Sequence, residues 1–304
     1  MTASGSVRAG SQSALSRHMV LLAGMVVWVA ALILLPAPLA ARILLLAPLV
    51  IVPRLLILLP PRPWIGRLAG WPVLLAALPL LIAFSLPAGA LAGALALPWL
   101  AVALTGALAA IVHGVPRLPS ILRPGQLPDL GVDVALGFWA AAAAFAVIDR
   151  VGLETGFSPA IVLLTATHFH FAGLCLLALA SLMAGSRTWL RASVIGLIVG
   201  IPITAAGFVL ASDAVSAVGA LLVGFSGIGV AVAMLVGPAP GGARVLPRLA
   251  GVALLIGMPM GIAWSLAILS GGSFLDLDTM IRTHGALNAT AVLLGVASYN
   301  AGPS

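Results

Sequence analysis

Apolar residues fall along this chain in blocks about as long as a bilayer is thick. A transmembrane helix needs about 20 apolar residues. On that ruler the pattern predicts about ten spans, near residues 19–36, 43–60, 70–87, 89–112, 132–149, 159–184, 192–211, 214–236, 248–270 and 282–300. Proline-rich punctuation supports several boundaries, notably Pro60-Pro61-Arg62-Pro63 and Pro116 through Pro128. The second and third spans are short and carry Pro48, Pro53 and Pro72, which makes either a candidate re-entrant segment. Proline inside a span is tolerated where neighbouring groups satisfy the freed carbonyls. The predicted fold is all-α: a polytopic transmembrane helix bundle. Residues 1–17 are expected as a disordered cytoplasmic tail and 18–304 as a single transmembrane helical domain.

Composition excludes a soluble domain. Of 304 residues, 62% are hydrophobic and only 7% charged, with a mean hydropathy of +1.24. A soluble domain carries about 25% charged residues, so this chain cannot clothe itself in a water-facing shell. The net charge of +7 comes from arginine alone, since the sequence has no lysine. Those arginines sit in loops and read as a positive-inside signal rather than a nucleic-acid surface. With a cytoplasmic N-terminus, Arg62, Arg67, Arg117, Arg123, Arg187, Arg191, Arg244 and Arg248 face the cytoplasm. Arg42, Arg150 and Arg282 lie opposite, together with Asp149, Glu154, Asp213, Asp276 and Asp278. The expected location is a cell membrane, crossed many times. Cys175 lies in an apolar run and reads as a small hydrophobe.

Two polar stretches resist explanation by lipid: Ala166-Thr167-His168-Phe169-His170-Phe171-Ala172-Gly173 and Arg282-Thr283-His284-Gly285-Ala286-Leu287-Asn288-Ala289. An ionisable group at membrane depth is costly and is a functional candidate by default. His168 lies nine residues into its span, about 13 Å deep at 1.5 Å per residue. His168 and His170 sit about 200° apart on a regular helix. One is therefore expected to face a cavity and the other a neighbouring helix. His284 and Asn288, four apart, share a face. Asp149 and Glu154 fall at the same membrane level, so all these groups are expected to converge on one outward-opening cavity.

Three chemistries fit that set. In the first, His168, His170 or His284 with Asp149 or Glu154 performs acid–base catalysis on a lipophilic, isoprenoid-like substrate, as an isomerase or cyclase. Imidazole titrates near neutrality, and Arg282, Asn288 and Thr167 would bind the substrate. In the second, the same groups line a transporter or channel path. In the third, a histidine pair holds a metal or haem, although no His-Glu-x-x-His pattern or Cys/His cluster marks one; no cofactor is expected. The bland alternative is hydrogen bonding between helices, worth under about 2 kcal/mol in a membrane. The expected partners are a lipophilic small molecule or lipid and the membrane itself, without nucleic acid. His113, Asp129 and Asp133 read as helix-end residues, and Trp64, Trp71, Trp99 and Trp189 as interfacial anchors.

At these residues the sequence resembles the YndJ-like family of bacterial integral membrane proteins. The likeness rests on Thr-His-Phe-His-aromatic-Ala-Gly, Thr167 to Gly173, and on Arg-x-His-Gly-x-Leu-Asn-Ala, Arg282 to Ala289. It extends from about residue 130 onward, with the first four spans alike in hydropathy. The resemblance singles out the same residues and implies no established activity.

Overall fold

The computed structural model describes residues 3–120, 123, 125–185, 187–237, 244–272 and 275–299; the side chains of residues 3–18, 118 and 120 fall outside that description. No strand occurs among the described residues. The helices are α1 (Ala3–Leu34), α2 (Leu39–Leu58), the single turn α3 (Ile65–Leu68), α4 (Trp71–Ser85), α5 (Ala90–Gly114) and α6 (Leu127–Val151). They continue with α7 (Pro159–Ala184), α8 (Thr188–Val209), α9 (Asp213–Val236), α10 (Val245–Leu269) and α11 (277–298). Seven of these, α2 and α5 to α10, are long and apolar enough to cross a membrane. Helix α4 and the Met19–Leu34 part of α1 are apolar but shorter. Helix α1 begins at Ala3, within the stretch read from sequence as a tail.

Local chemistry sets the boundaries. Gly152, with φ of 74°, closes α6 in the left-handed conformation and returns its N–H to Ile148 and Asp149 carbonyls, a common glycine termination. Ser158, Ser212 and Asp276 cap the starts of α7, α9 and α11 by accepting the backbone N–H three residues on, as short polar side chains do at helix N-termini. The loops at 86–89, 152–158, 210–212 and 270–276 define what is called the upper end of the bundle below.

Helix α2 is the innermost of the long helices: Leu44, Leu45, Leu49, Ile51 and Leu55 are fully buried. It is surrounded by α1, α4, α7 and α11. Where α2, α7 and α11 meet, each leaves α geometry for π turns, at Ala47–Ile51, Phe169–Leu176 and Ile281–Gly285. A π turn bonds each N–H to the carbonyl five residues back and recurs at functional sites. In α2 the cause is Pro48 and Pro53, which lack the N–H that α geometry requires. In α7 side chains compete for the carbonyls. Thr165 and Thr167 hydroxyls donate to Ile161 (2.7 Å) and Leu163 (2.8 Å), and the Nδ1 atoms of His168 and His170 lie 2.8 Å from the Leu164 and Ala166 carbonyls. Each side chain thus takes the carbonyl that the backbone would use, which loosens the turn.

Candidate functional site

A cavity of about 390 Å³ opens among α7, α8, α9, α10 and α11, closed on one side by Ala40 and Ile43 of α2. Its walls are mostly apolar, with Leu164, Phe169, Ile201, Val223 and Ile262 prominent. Leu176, Met258 and Val292 form its floor, and Ser212, Asp213, Trp264 and Leu277 its rim at the upper end. The space exists because α7 and α8 form a wedge: residues 177–184 pack along α8, while the upper half of α7 diverges from it.

Into this space the two polar stretches each send a histidine. His168 is exposed, and the surface it exposes is the cavity wall. Its Nδ1 carries the proton shared with the Leu164 carbonyl, which leaves Nε2 as an acceptor without a partner among the described residues. His284 comes from the π turn of α11 and crosses to α10, where Nδ1–H donates to the Gly257 carbonyl at 2.8 Å. Its Nε2 then accepts from Asn288 Nδ2 at 3.2 Å, the assignment that gives the imidazole proton an acceptor and the amide a lone pair. Glycines make room for this crossing. A Cβ at Gly257 would lie 2.3 Å from Asn288 Oδ1, and one at Gly261 would lie 2.7 Å from His284 Cε1. Gly257-Met258-Pro259-Met260-Gly261 is thus a small-xxx-small contact of the kind that lets membrane helices approach closely. Asn288 is buried and its Oδ1 makes no hydrogen bond. A buried orphan of this type is uncommon and calls for a reason; here the oxygen fills the space left by the missing Gly257 side chain.

Thr167 also lines the cavity, so His168, His284, Asn288 and Thr167 meet as the sequence predicts. His170, Asp149, Glu154 and Arg282 do not line it. His170 points the other way, as the two-residue spacing requires, and is completely buried. Its Nδ1 donates to Ala166, and its Nε2 accepts from Trp99 Nε1 at 3.0 Å, so both nitrogens are satisfied. Trp99 is no interfacial anchor: it is fully buried, with its ring edge-on to Trp139 at 5.4 Å. Asp149 is held by its neighbour Arg150 at 2.7 Å, and the guanidinium stacks over Phe84 and donates to the Leu86 carbonyl. That group fastens the end of α6 to the 86–89 turn. Glu154 is exposed in the 152–158 loop. Arg282 pairs with Asp278 at 2.6 Å on the exposed side of α11.

Sequence reasoning overlooked Thr204 and Ser265 on the wall and Trp264 at the rim. Trp264 donates to the Leu275 carbonyl at 3.0 Å and pins the loop ahead of α11. The Gly257–Gly261 spacing was the readable signal for α10. In that loop Asp276 accepts the Thr279 amide (2.8 Å) and hydroxyl (2.9 Å), bonds that hold its carboxyl below the usual carboxylate range.

Two further polar features lie toward the lower end. A second cavity, of about 300 Å³, is lined by Leu179, Arg187, Met234, Gly295, Ser298 and Tyr299 among others. It follows the first along the same two helices: the floor residues Leu176 and Val292 are each three positions before Leu179 and Gly295. A Cβ on Gly295 would lie 2.7 Å from Leu179 Cδ2 and 2.8 Å from Met234 Cε, so these side chains form a one-turn plug between the cavities. Elsewhere at that end, Arg62 binds Asp133 at 2.7 Å and Asp129 at 2.9 Å, and His113 meets the other Asp133 oxygen at 2.9 Å. Among the described residues no three His, Cys, Asp or Glu side chains come together as a metal-ligand set.

A helical bundle with seven helices fit to cross a membrane, enclosing an apolar chamber with two histidines in its wall, is a multi-helix membrane protein with an internal apolar cavity. The chain belongs to the YndJ-like protein family, whose match covers residues 42–292 and so includes both histidine segments. No curated protein and no solved structure matches it.

Proposed function

We propose that this protein is a membrane-embedded enzyme of the isomerase or cyclase type that acts on a lipophilic, isoprenoid-like molecule in the upper cavity. The observation that carries the reading is that His168 and His284, distant in sequence, share one apolar chamber whose volume suits a small molecule. Most ligand pockets are of this kind, about 300–1,000 Å³ with few polar groups. His168 Nε2 is the base. It takes a proton from one position of the substrate and returns it to another, so the reaction needs no redox partner and no net proton. His284, fixed between Gly257 and Asn288, orients the substrate beside it. The catalytic pair is therefore two histidines rather than a histidine with Asp149 or Glu154. The full reading includes ten crossings, a cytoplasmic N-terminus and residence in a bacterial cytoplasmic membrane, which puts the cavity in the extracytoplasmic half.

A carrier is the second reading, favoured by the two cavities that lie end to end across a one-turn plug. Turnover and flux separate the two. Membranes holding the wild type are incubated with a panel of prenyl substrates, and the same substrates are followed across proteoliposomes. A product that disappears in the His168→Ala/His284→Ala protein supports the enzyme. Saturable flux without any product supports the carrier, and neither activity with any substrate defeats both.

A further inference from the structure

The upper cavity has a chemical polarity of its own. Among the described residues no arginine lines it. Most protons of its deep polar groups are already committed: Thr165, Thr167 and Thr204 hydroxyls donate to Ile161, Leu163 and Gly200 carbonyls within their own helices. The Nδ1 protons of His168 and His284 go to Leu164 and Gly257, and an Asn288 amide proton goes to His284. What these groups still offer a ligand is the second Asn288 N–H and several lone pairs, foremost His168 Nε2. A second proton on His284 would set two donors against each other at Asn288.

We infer that the ligand of this cavity is a neutral lipophilic alcohol, whose hydroxyl donates to His168 Nε2. The inference rests on the ligand-binding reading above and narrows it. An anionic head, phosphate or carboxylate, would be buried with no cation to meet it, and an unpaired buried charge is strongly disfavoured. An ammonium head would find no carboxylate at the depth of His168, because Asp213 sits at the rim. An ether or a hydrocarbon would leave the Nε2 lone pair unanswered, and sites built to hydrogen-bond a substrate discriminate against analogues that lack the group. A hydroxyl is the head that uses what the wall supplies and demands nothing that it lacks.

Native mass spectrometry of the purified protein tests this with farnesol, farnesyl methyl ether and farnesyl phosphate in competition. Farnesol should be retained with about tenfold preference over the ether, the scale of one hydrogen bond to a buried acceptor, and by more over the phosphate. His168→Phe should bind farnesol and the ether alike, while His168→Gln, which keeps an acceptor, should retain part of the preference. If the unmodified protein takes up all three equally, a lipophilic site stands but the alcohol assignment falls. Tighter retention of the phosphate would overturn it outright. Binding of none of the three defeats both the assignment and the ligand-binding reading beneath it.

Discussion

Near the lower end, Arg62, Asp129, Asp133 and His113 come from three separate parts of the chain and leave no member of the group without a partner. In the upper cavity, His168, His284 and Asn288 come from two stretches and leave one nitrogen and one oxygen without partners. Both groups bury polar atoms in an apolar bundle, and both cost desolvation. The lower cluster recovers that cost internally, which is the behaviour of a structural fastening. The upper group does not, and it sits on open space. Unsatisfied polarity beside a cavity, rather than polarity alone, is what separates a site from a clasp.

The comparison can be broken in four ways. Arg62→Ala should have the largest effect on stability. The Arg62 side chain is almost wholly buried, and removing one partner of a buried ion pair costs about 3–5 kcal/mol, seen as a lower thermal midpoint in detergent. His170→Phe keeps most of the volume but leaves the Trp99 N–H unpaired, so about 1–3 kcal/mol should be lost with ligand binding retained. His168→Phe should do the reverse, with a stability change within about 0.5 kcal/mol and loss of ligand discrimination. A large destabilisation there would make His168 a clasp like the lower cluster. The smallest effect is local and pH-dependent. Because the Asp276 carboxyl is held below its ordinary range by Thr279, its cap is intact above the ordinary carboxylate pKa and fails as pH falls through the depressed one. Protection of the Thr279 amide, relative to its intrinsic exchange rate at each pH, should then fall in acid while the cavity residues stay protected; a uniform loss along α11 would contradict this.

Much of the architecture was legible because lipid permits so few solutions. The block at 159–184 coincides with α7, and 214–236 matches α9 to within a residue, since block length and a serine cap both mark the boundary. The opposite facing of His168 and His170 followed from helical periodicity. Other features depend on contacts that no local pattern carries. Trp99 lies mid-helix in a chain where tryptophan usually marks an interface, and its partner His170 is 71 residues away. Asp149 looked like a catalytic carboxylate until its neighbour Arg150 was seen to engage it at 2.7 Å. Asp133 and His113 read singly as helix-end residues, and only the fold brings them to Arg62. The π turn of α7 had no signature, because it arises from side chains competing with the backbone for the same carbonyls, whereas that of α2 was marked by Pro48 and Pro53.

The π turn at Ile281–Gly285 has a consequence for evolution and for engineering. A π turn holds one residue more than the α turn it replaces, so it behaves as an insertion that the helix has absorbed without shifting its lower part. Removing one residue from this turn would restore an ordinary helix, leave Val292 and Gly295 in register below, and swing His284 off its Gly257 contact. In this chain the chamber's histidine is thus separable from its scaffold by a single codon, and a one-residue deletion there should empty the chamber of His284 while leaving the lower helix in place.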